Sequence, residues 1–170
     1  ETLRLDREVE AVGIGIAGFV DAARSTVYFA PNLLGWRNGP LRQEVEQRVG
    51  LPVVVENDAN AAAWGEARFG AGREERFIVC VTVGTGVGMG ICVDGTLFRG
   101  AHGAAGEVGF LPFGKSSSDV QRGQFEEAAA AESVVALARD RGLVARTALE
   151  VFSAARSGDV QAVEVVRVEA

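Results

Sequence analysis

The chain is poor in several residue types, and each scarcity narrows what it can do. Only two cysteines, Cys80 and Cys92, occur in 170 residues. Both lie inside apolar, strand-like runs, so buried free thiols are expected rather than a disulfide or a metal pair. His102 is the single histidine, which excludes a multi-histidine metal site within this chain. No apolar run reaches the roughly 18 residues needed to span a bilayer. The opening ETLRLDREVE lacks the basic and apolar regions of a signal peptide. A cytoplasmic chain without a membrane partner is therefore expected. Basic residues are few and scattered: 17 Lys plus Arg stand against 23 Asp plus Glu, for a net charge of −6. A phosphate backbone demands clustered Lys and Arg, so this stretch offers no nucleic-acid face.

Against those absences stands a composition 48% hydrophobic and 24% charged, that of a globular protein able to bury a core as one medium domain or parts of two. Glycine is abundant, 22 residues against 4 prolines. No three-residue period accompanies it, which excludes collagen, and the apolar runs exclude disorder. The excess is local.

The pattern reads as an α/β layer. Residues 9 to 20 form an apolar, β-branched strand ending at Asp21, and STVYFAPN (25–32) forms a second, short strand. A glycine-containing stretch with Trp36 leads to a helix from Pro40, where Leu41, Val45 and Val49 recur every four residues and Gly50 stops it. Leu51–Val55 is continuously apolar, as in a strand of a parallel sheet buried on both faces, and its carboxyl end delivers Glu56, Asn57 and Asp58. A helix over Ala59–Phe69 ends at Gly70. The polar connector Gly70–Glu75 is the expected boundary between domains at 1–70 and 71–170. Beyond it, FIVCVTVGTGVGMGICVDGTLF reads as two strands around a glycine-rich bend, with Asp94-Gly95 turning a hairpin into Thr96–Phe98. Gly100–Gly114 reads as a loop, and the chain from Gln124 onward as helical.

Three places carry candidate chemistry. Ligands of open α/β sheets sit at the carboxyl ends of strands, and an aspartate such as Asp58 there can act as general base for a hydroxyl. The plainer reading is that Asn57 or Asp58 caps the following helix; the two are compatible if one caps while the other faces a cleft. Alternate glycines in Gly84-Thr85-Gly86-Val87-Gly88-Met89-Gly90 allow close backbone approach to phosphate, with the Thr85 hydroxyl as a further donor. No Walker lysine follows, and the segment opens a strand rather than the helix of a dinucleotide fingerprint, so a glycine-rich bend remains the alternative. In His102-Gly103-Ala104-Ala105-Gly106-Glu107-Val108-Gly109, Glu107 among small residues has room for a polyhydroxylated ligand, or is a solvated loop acid. Glu126 and Glu127 open a helix, where their charges suit its positive end.

Taken together and in order, VGIGIAGFVD, PNLLGW, LPVVVENDANAAAWGEARFGAG and VTVGTGVGMGICVDGTLFRGAHGAAGEVG resemble the ROK family of bacterial repressors, open reading frames and sugar kinases, closely over residues 11 to 114 and more loosely beyond. The resemblance implies an actin-like ATPase fold built of ribonuclease-H-like α/β domains, of which this chain would be incomplete parts of two. It implies that Asp58 takes the proton from a hexose hydroxyl attacking the γ-phosphate of ATP, carried with Mg. Asn32, Asn57, Glu107 and Glu126, with Asp58, match sugar-binding positions, Gly18 lines the sugar pocket, and Gly84, Thr85 and Gly86 match a phosphate-binding segment. A homodimer is implied.

The departures qualify this. Family kinases usually carry a histidine where Phe110 stands, and a cysteine-rich zinc segment where SDVQRGQFEE (118–127) stands. No zinc is expected. The first phosphate loop is expected upstream of Glu1 and the adenosine-binding glycines downstream of Ala170, so the fragment alone is expected to be inactive. Two functions stand side by side: a glucokinase-like sugar kinase, and the sugar-sensing effector domain of a transcriptional repressor whose DNA-binding domain lies outside this stretch.

Overall fold

A computed structural model describes residues 9–30, 33, 35–112 and 124–169. In β1 (Val12–Ile16), branched apolar residues alternate with glycine, so Val12, Ile14 and Ile16 share one face. That strand pairs in parallel with β5 (Val53–Asn57), in a register that sets Gly15 opposite Glu56 and Ile16 opposite Asn57. A second, antiparallel sheet has the order β2 (Phe19–Val20), β3 (Val27–Phe29), β4 (Arg37–Gly39). Helix α1 (Leu41–Val49) follows and ends at Gly50, whose φ of 70° is the left-handed conformation that closes a helix. Val20, Val27, Ala30, Val53 and Val55 form the core beneath these elements, with Trp36, Leu41 and Val45 packed on it.

Helix α2 (Asp58–Phe69) follows β5 directly. Its alanines, Ala63 and Ala67, meet Cys92 and Leu97 of a third sheet, ordered β6 (Phe77–Val83), β7 (Val87–Val93), β8 (Thr96–Leu97). The approach is close: a Cβ on Gly90 would lie 2.7 Å from the Ala59 carbonyl oxygen. Both central residues of the turn between β7 and β8, Asp94 and Gly95, have positive φ, 48° and 72°, as a two-residue hairpin requires. After a 3-10 turn at Val108–Phe110, the chain continues through α3 (Phe125–Ala129), α4 (Ala131–Asp140), α5 (Ala148–Arg156) and α6 (Val160–Glu169). Val134, Ala138, Val151 and Val165 make a separate core among the last three.

The chain divides into two compact units, Glu1–Cys80 with Gly90–Gly106, and Val81–Met89 with Glu107–Ala170. No described helix is long and apolar enough to cross a membrane.

The strand expected over residues 9 to 20 is two strands. Gly18 breaks it, passing so close to β3 that a Cβ there would lie 2.6 Å from the Phe29 carbonyl oxygen. The second strand covers only Val27–Phe29, and the stretch after Trp36 pairs with it as β4. Strand β5 extends to Asn57 because Glu56 and Asn57 keep their partners on β1. The helix expected from Gln124 is interrupted at Ala130, whose ψ is 155°. This break releases the Ala131 amide, which donates to the Gly84 carbonyl at 2.8 Å.

Candidate active site

In the first unit, chemistry gathers where β5 becomes α2. Asn57 is the helix cap: its Oδ1 accepts the Asn60 amide at 3.0 Å. Its Nδ2 donates to the Gly18 carbonyl at 3.1 Å, so both ends of one side-chain amide are used and its orientation is set. Asp58 is thereby relieved of capping. It is the first helical residue, exposed, with Oδ1 accepting its neighbour Ala59's amide at 2.9 Å. One residue caps and the next presents a carboxylate to solvent. Asn57 and Gly18 are brought together; Asn32 lies outside the described residues.

Glu56 and Arg99 hold the same turn from the other side of the strand. The Arg99 Nε and Nη2 both donate to Glu56 Oε2, at 2.9 and 2.6 Å. The other carboxylate oxygen accepts the Asn57 amide at 3.3 Å and Asn60 Nδ2 at 3.4 Å. The two side chains are 12% and 25% exposed, shielded enough that removing one partner would cost about 2 kcal/mol. Sequence reasoning gave neither residue a role. The available signal was one acid and one base, each ending an otherwise apolar strand run.

Asp21, at the end of β2, accepts the amides of Ser25 (2.6 Å) and Thr26 (3.0 Å) and the Ser25 hydroxyl (2.8 Å). Burial alone would raise its pKa, but the bonds from Thr26 and Ser25 outweigh it and hold the carboxyl below its ordinary value. The two cysteines are free. Cys92 is fully buried, and burial pushes its thiol pKa up, with Arg99 opposing and Cys80 adding to the shift.

In the second unit, the segment Gly84–Gly86 is a turn whose Gly84 amide donates to the Gly86 carbonyl at 2.9 Å. The next amide but two, Val87 N–H, donates to Glu126 Oε2 at 2.8 Å. Two donors are thus spent internally. Among the described residues neither the Thr85 hydroxyl nor the amides of Thr85 and Gly86 has a hydrogen-bond partner, and Gly84 and Thr85 are exposed. Glu126 is brought to this segment: a Cβ on Gly86 would collide with its carboxylate, and one on Gly109 would lie 2.8 Å from the Val87 carbonyl and 3.3 Å from the Glu126 Cβ. Glu107 is half-buried, two residues before Gly109, and Phe110 is exposed. Among the described residues no group of three or more His, Cys, Asp or Glu is arranged to hold a metal. Residues 113–123, which include most of the segment SDVQRGQFEE (118–127) where the resemblance placed the missing zinc cysteines, lie outside those described.

The ROK family model matches residues 1–170. A glucokinase of Streptomyces coelicolor is 46% identical over 167 residues, 96% of this chain and 52% of that protein. A xylose repressor of Caldicellulosiruptor bescii is 48% identical over 98 residues, 58% of this chain and 24% of that protein. Among solved structures, a ROK family glucokinase from Streptomyces griseus in complex with glucose and AMPPNP superposes with a TM-score of 0.83 at 42% identity, covering 96% of this chain and 59% of that one. The chain spans about half the length of the curated glucokinase it matches. The α/β architecture is part of the actin-like ATPase fold of such sugar kinases.

Proposed function

Because this chain belongs to the ROK family, we propose that it contributes the hexose site and one phosphate-binding segment of a kinase that phosphorylates a hexose such as glucose with MgATP. Residues 1–70 and 71–170 would be parts of its first and second domains, and the whole protein would form a homodimer. The observation that carries this reading is the division of labour at the end of β5. Asn57 takes the capping role, and Asp58 is left with an exposed carboxylate steadied by one backbone amide.

In this reading Asp58 accepts the proton of the sugar hydroxyl as that oxygen bonds to the γ-phosphorus. The bond from phosphorus to the bridging oxygen breaks, and ADP departs with that electron pair. Such transfer depends mainly on positioning and charge stabilisation. Asn57, Glu107 and Glu126, with Asn32, would receive sugar hydroxyls. Gly84, Thr85 and Gly86 would receive phosphate through the donors left unspent in their turn. Mg would arrive with ATP as part of the substrate.

The resemblance to the xylose repressor and the phenylalanine at 110 favour a second reading, a sugar-sensing effector domain without phosphoryl transfer, joined to a DNA-binding domain. Assaying the full-length protein with MgATP and a hexose panel separates the two. For a kinase, Asp58→Asn should lower kcat by about 10²- to 10⁴-fold, the usual contribution of a general base. If wild type and variant are equally inert while a hexose still raises the melting temperature, the kinase reading is wrong and the sensing one stands.

A further inference from the structure

We propose that Glu56 and Arg99 are a positioning pair that sets Asn57 and Asp58 in place for the hexose, an inference that rests on the reading of Asn57 and Asp58 as hexose-site residues. The pair is built unlike a surface ion pair. Two nitrogens of one guanidinium converge on a single carboxylate oxygen, at 2.9 and 2.6 Å. The opposite oxygen receives the Asn57 backbone amide and the Asn60 side-chain amide, at 3.3 and 3.4 Å. Asn60 is 3% exposed and contributes its own backbone amide to Asn57 Oδ1. One carboxylate therefore holds the Asn57 backbone directly and, through Asn60, the residue that fixes the Asn57 side chain.

Strand alternation makes this a constraint on direction. Glu56 and Asn57 are successive residues of β5 and project to opposite faces, so fixing the Glu56 side chain fixes the plane in which Asn57 and Asp58 leave the strand. The other end of the pair is equally anchored. Arg99 opens the loop after β8, its carbonyl accepts the Ala105 amide at 3.1 Å, and Gly103, at φ 79°, presses against the Val20 carbonyl where no side chain fits. A lysine at 99 would keep the charge but lose the planar fork that lets two donors meet one oxygen.

The test uses full-length protein with glucose and MgATP and two variants, Arg99→Lys and the double neutral variant Glu56→Gln with Arg99→Met. The double variant removes both charges together, so no buried ion is stranded. A misplaced turn should lower kcat/KM for glucose by at least about tenfold in the double variant and by a smaller factor in Arg99→Lys, while KM for MgATP stays within about twofold. Should the double variant fail to melt cooperatively, Arg99→Lys carries the test alone. For a wild type that binds glucose without turning it over, the calorimetric Kd for glucose replaces kcat/KM, with the same tenfold loss expected. Folded variants that match wild type towards glucose, or that lose glucose and MgATP parameters equally, overturn the inference alone. A wild type that neither binds nor phosphorylates any hexose overturns the site reading and the pair's role together.

Discussion

The turn after β5 and the glycine segment before β7 are both candidate ligand sites, and they are held by opposite means. At the first, side chains are cross-braced by backbone and by one another: Asn57 is held by the Gly18 carbonyl and the Asn60 amide, and Asn60, Glu56 and Arg99 are linked side chain to side chain. At the second, the backbone itself is the candidate ligand-binding group. It is restrained by one carboxylate, Glu126, through Val87, and by one helix amide, Ala131, through Gly84. In the proposed reading a base would have to point in one direction, which cross-bracing suits, and a phosphate cradle would have to leave donors unspent, which few ties suit. Damage at the first site should therefore register as lost stability, and damage at the second mainly as lost affinity.

The sharpest way to break this contrast is at Asn57. Asn57→Ala removes a helix cap and the hydrogen bond to the Gly18 carbonyl, and should destabilise the first unit by about 2 kcal/mol, summing about 1 for each. Asn57→Asp keeps the capping oxygen but not the donor to Gly18, so denaturant melts should show about half that loss. Equal losses for the two variants would mean that the Gly18 bond carries the cap's share as well.

Glu126→Ala is the matching cut in the second unit. It should cost about 1 kcal/mol of stability, less than Asn57→Ala, since one hydrogen bond is lost and the buried Val87 stands next to exposed turn residues. Affinity for a non-hydrolysable ATP analogue in the full-length protein should fall about tenfold, equivalent to 1.4 kcal/mol. Glu126→Gln, which keeps an acceptor, should retain most of it. If Glu126→Ala destabilises as strongly as Asn57→Ala, the two sites are braced alike and the contrast fails.

The smallest effect concerns Asp21, which is tied only to its own turn. Its folded pKa lies below the ordinary carboxylate value. The stability it contributes is thus fully present above that ordinary value and is lost as pH falls through the lowered one. Asp21→Asn should melt below wild type at neutral pH and converge with it in strong acid. A gap that persists unchanged into acid would show that the amide geometry, rather than the charge, is what matters there.

Much of this was legible in the sequence, and the misses share a cause. Helix α1 and its Gly50 stop, the strand β5, the Asp94-Gly95 hairpin and the helix from Asp58 all follow from local pattern and turn chemistry, which neighbouring residues dictate. The burial of β5 on both faces that its apolar run suggested does not hold, since Val53 and Val55 are buried but Val54, on the other face, is 45% exposed. The order of motifs pointed to the ROK family, which the comparisons show. The break at Gly18 was hidden, because it answers to the carbonyl of Phe29, a contact the apolar run cannot announce. The break at Ala130 was hidden for the same reason: an alanine-rich stretch says helix throughout, and the amide it releases goes to Gly84, far back in the chain. The Glu56–Arg99 pair joins residues 43 positions apart, and only the fold that brings the segment after β8 to the end of β5 reveals it. Glu126 was singled out through resemblance, yet its bond to Val87 was not foreseeable from either segment alone.

The two thiols also make this chain convenient to observe. Cys92 is fully buried with a raised pKa, and thiolates do the reacting, whereas Cys80 is half-buried on the neighbouring strand β6. A maleimide dye should therefore label Cys80 first, placing a fluorophore on a strand packed against α2, the helix that begins at Asp58. No cysteine of this chain need be introduced or removed to follow by its emission the hexose binding proposed at that helix.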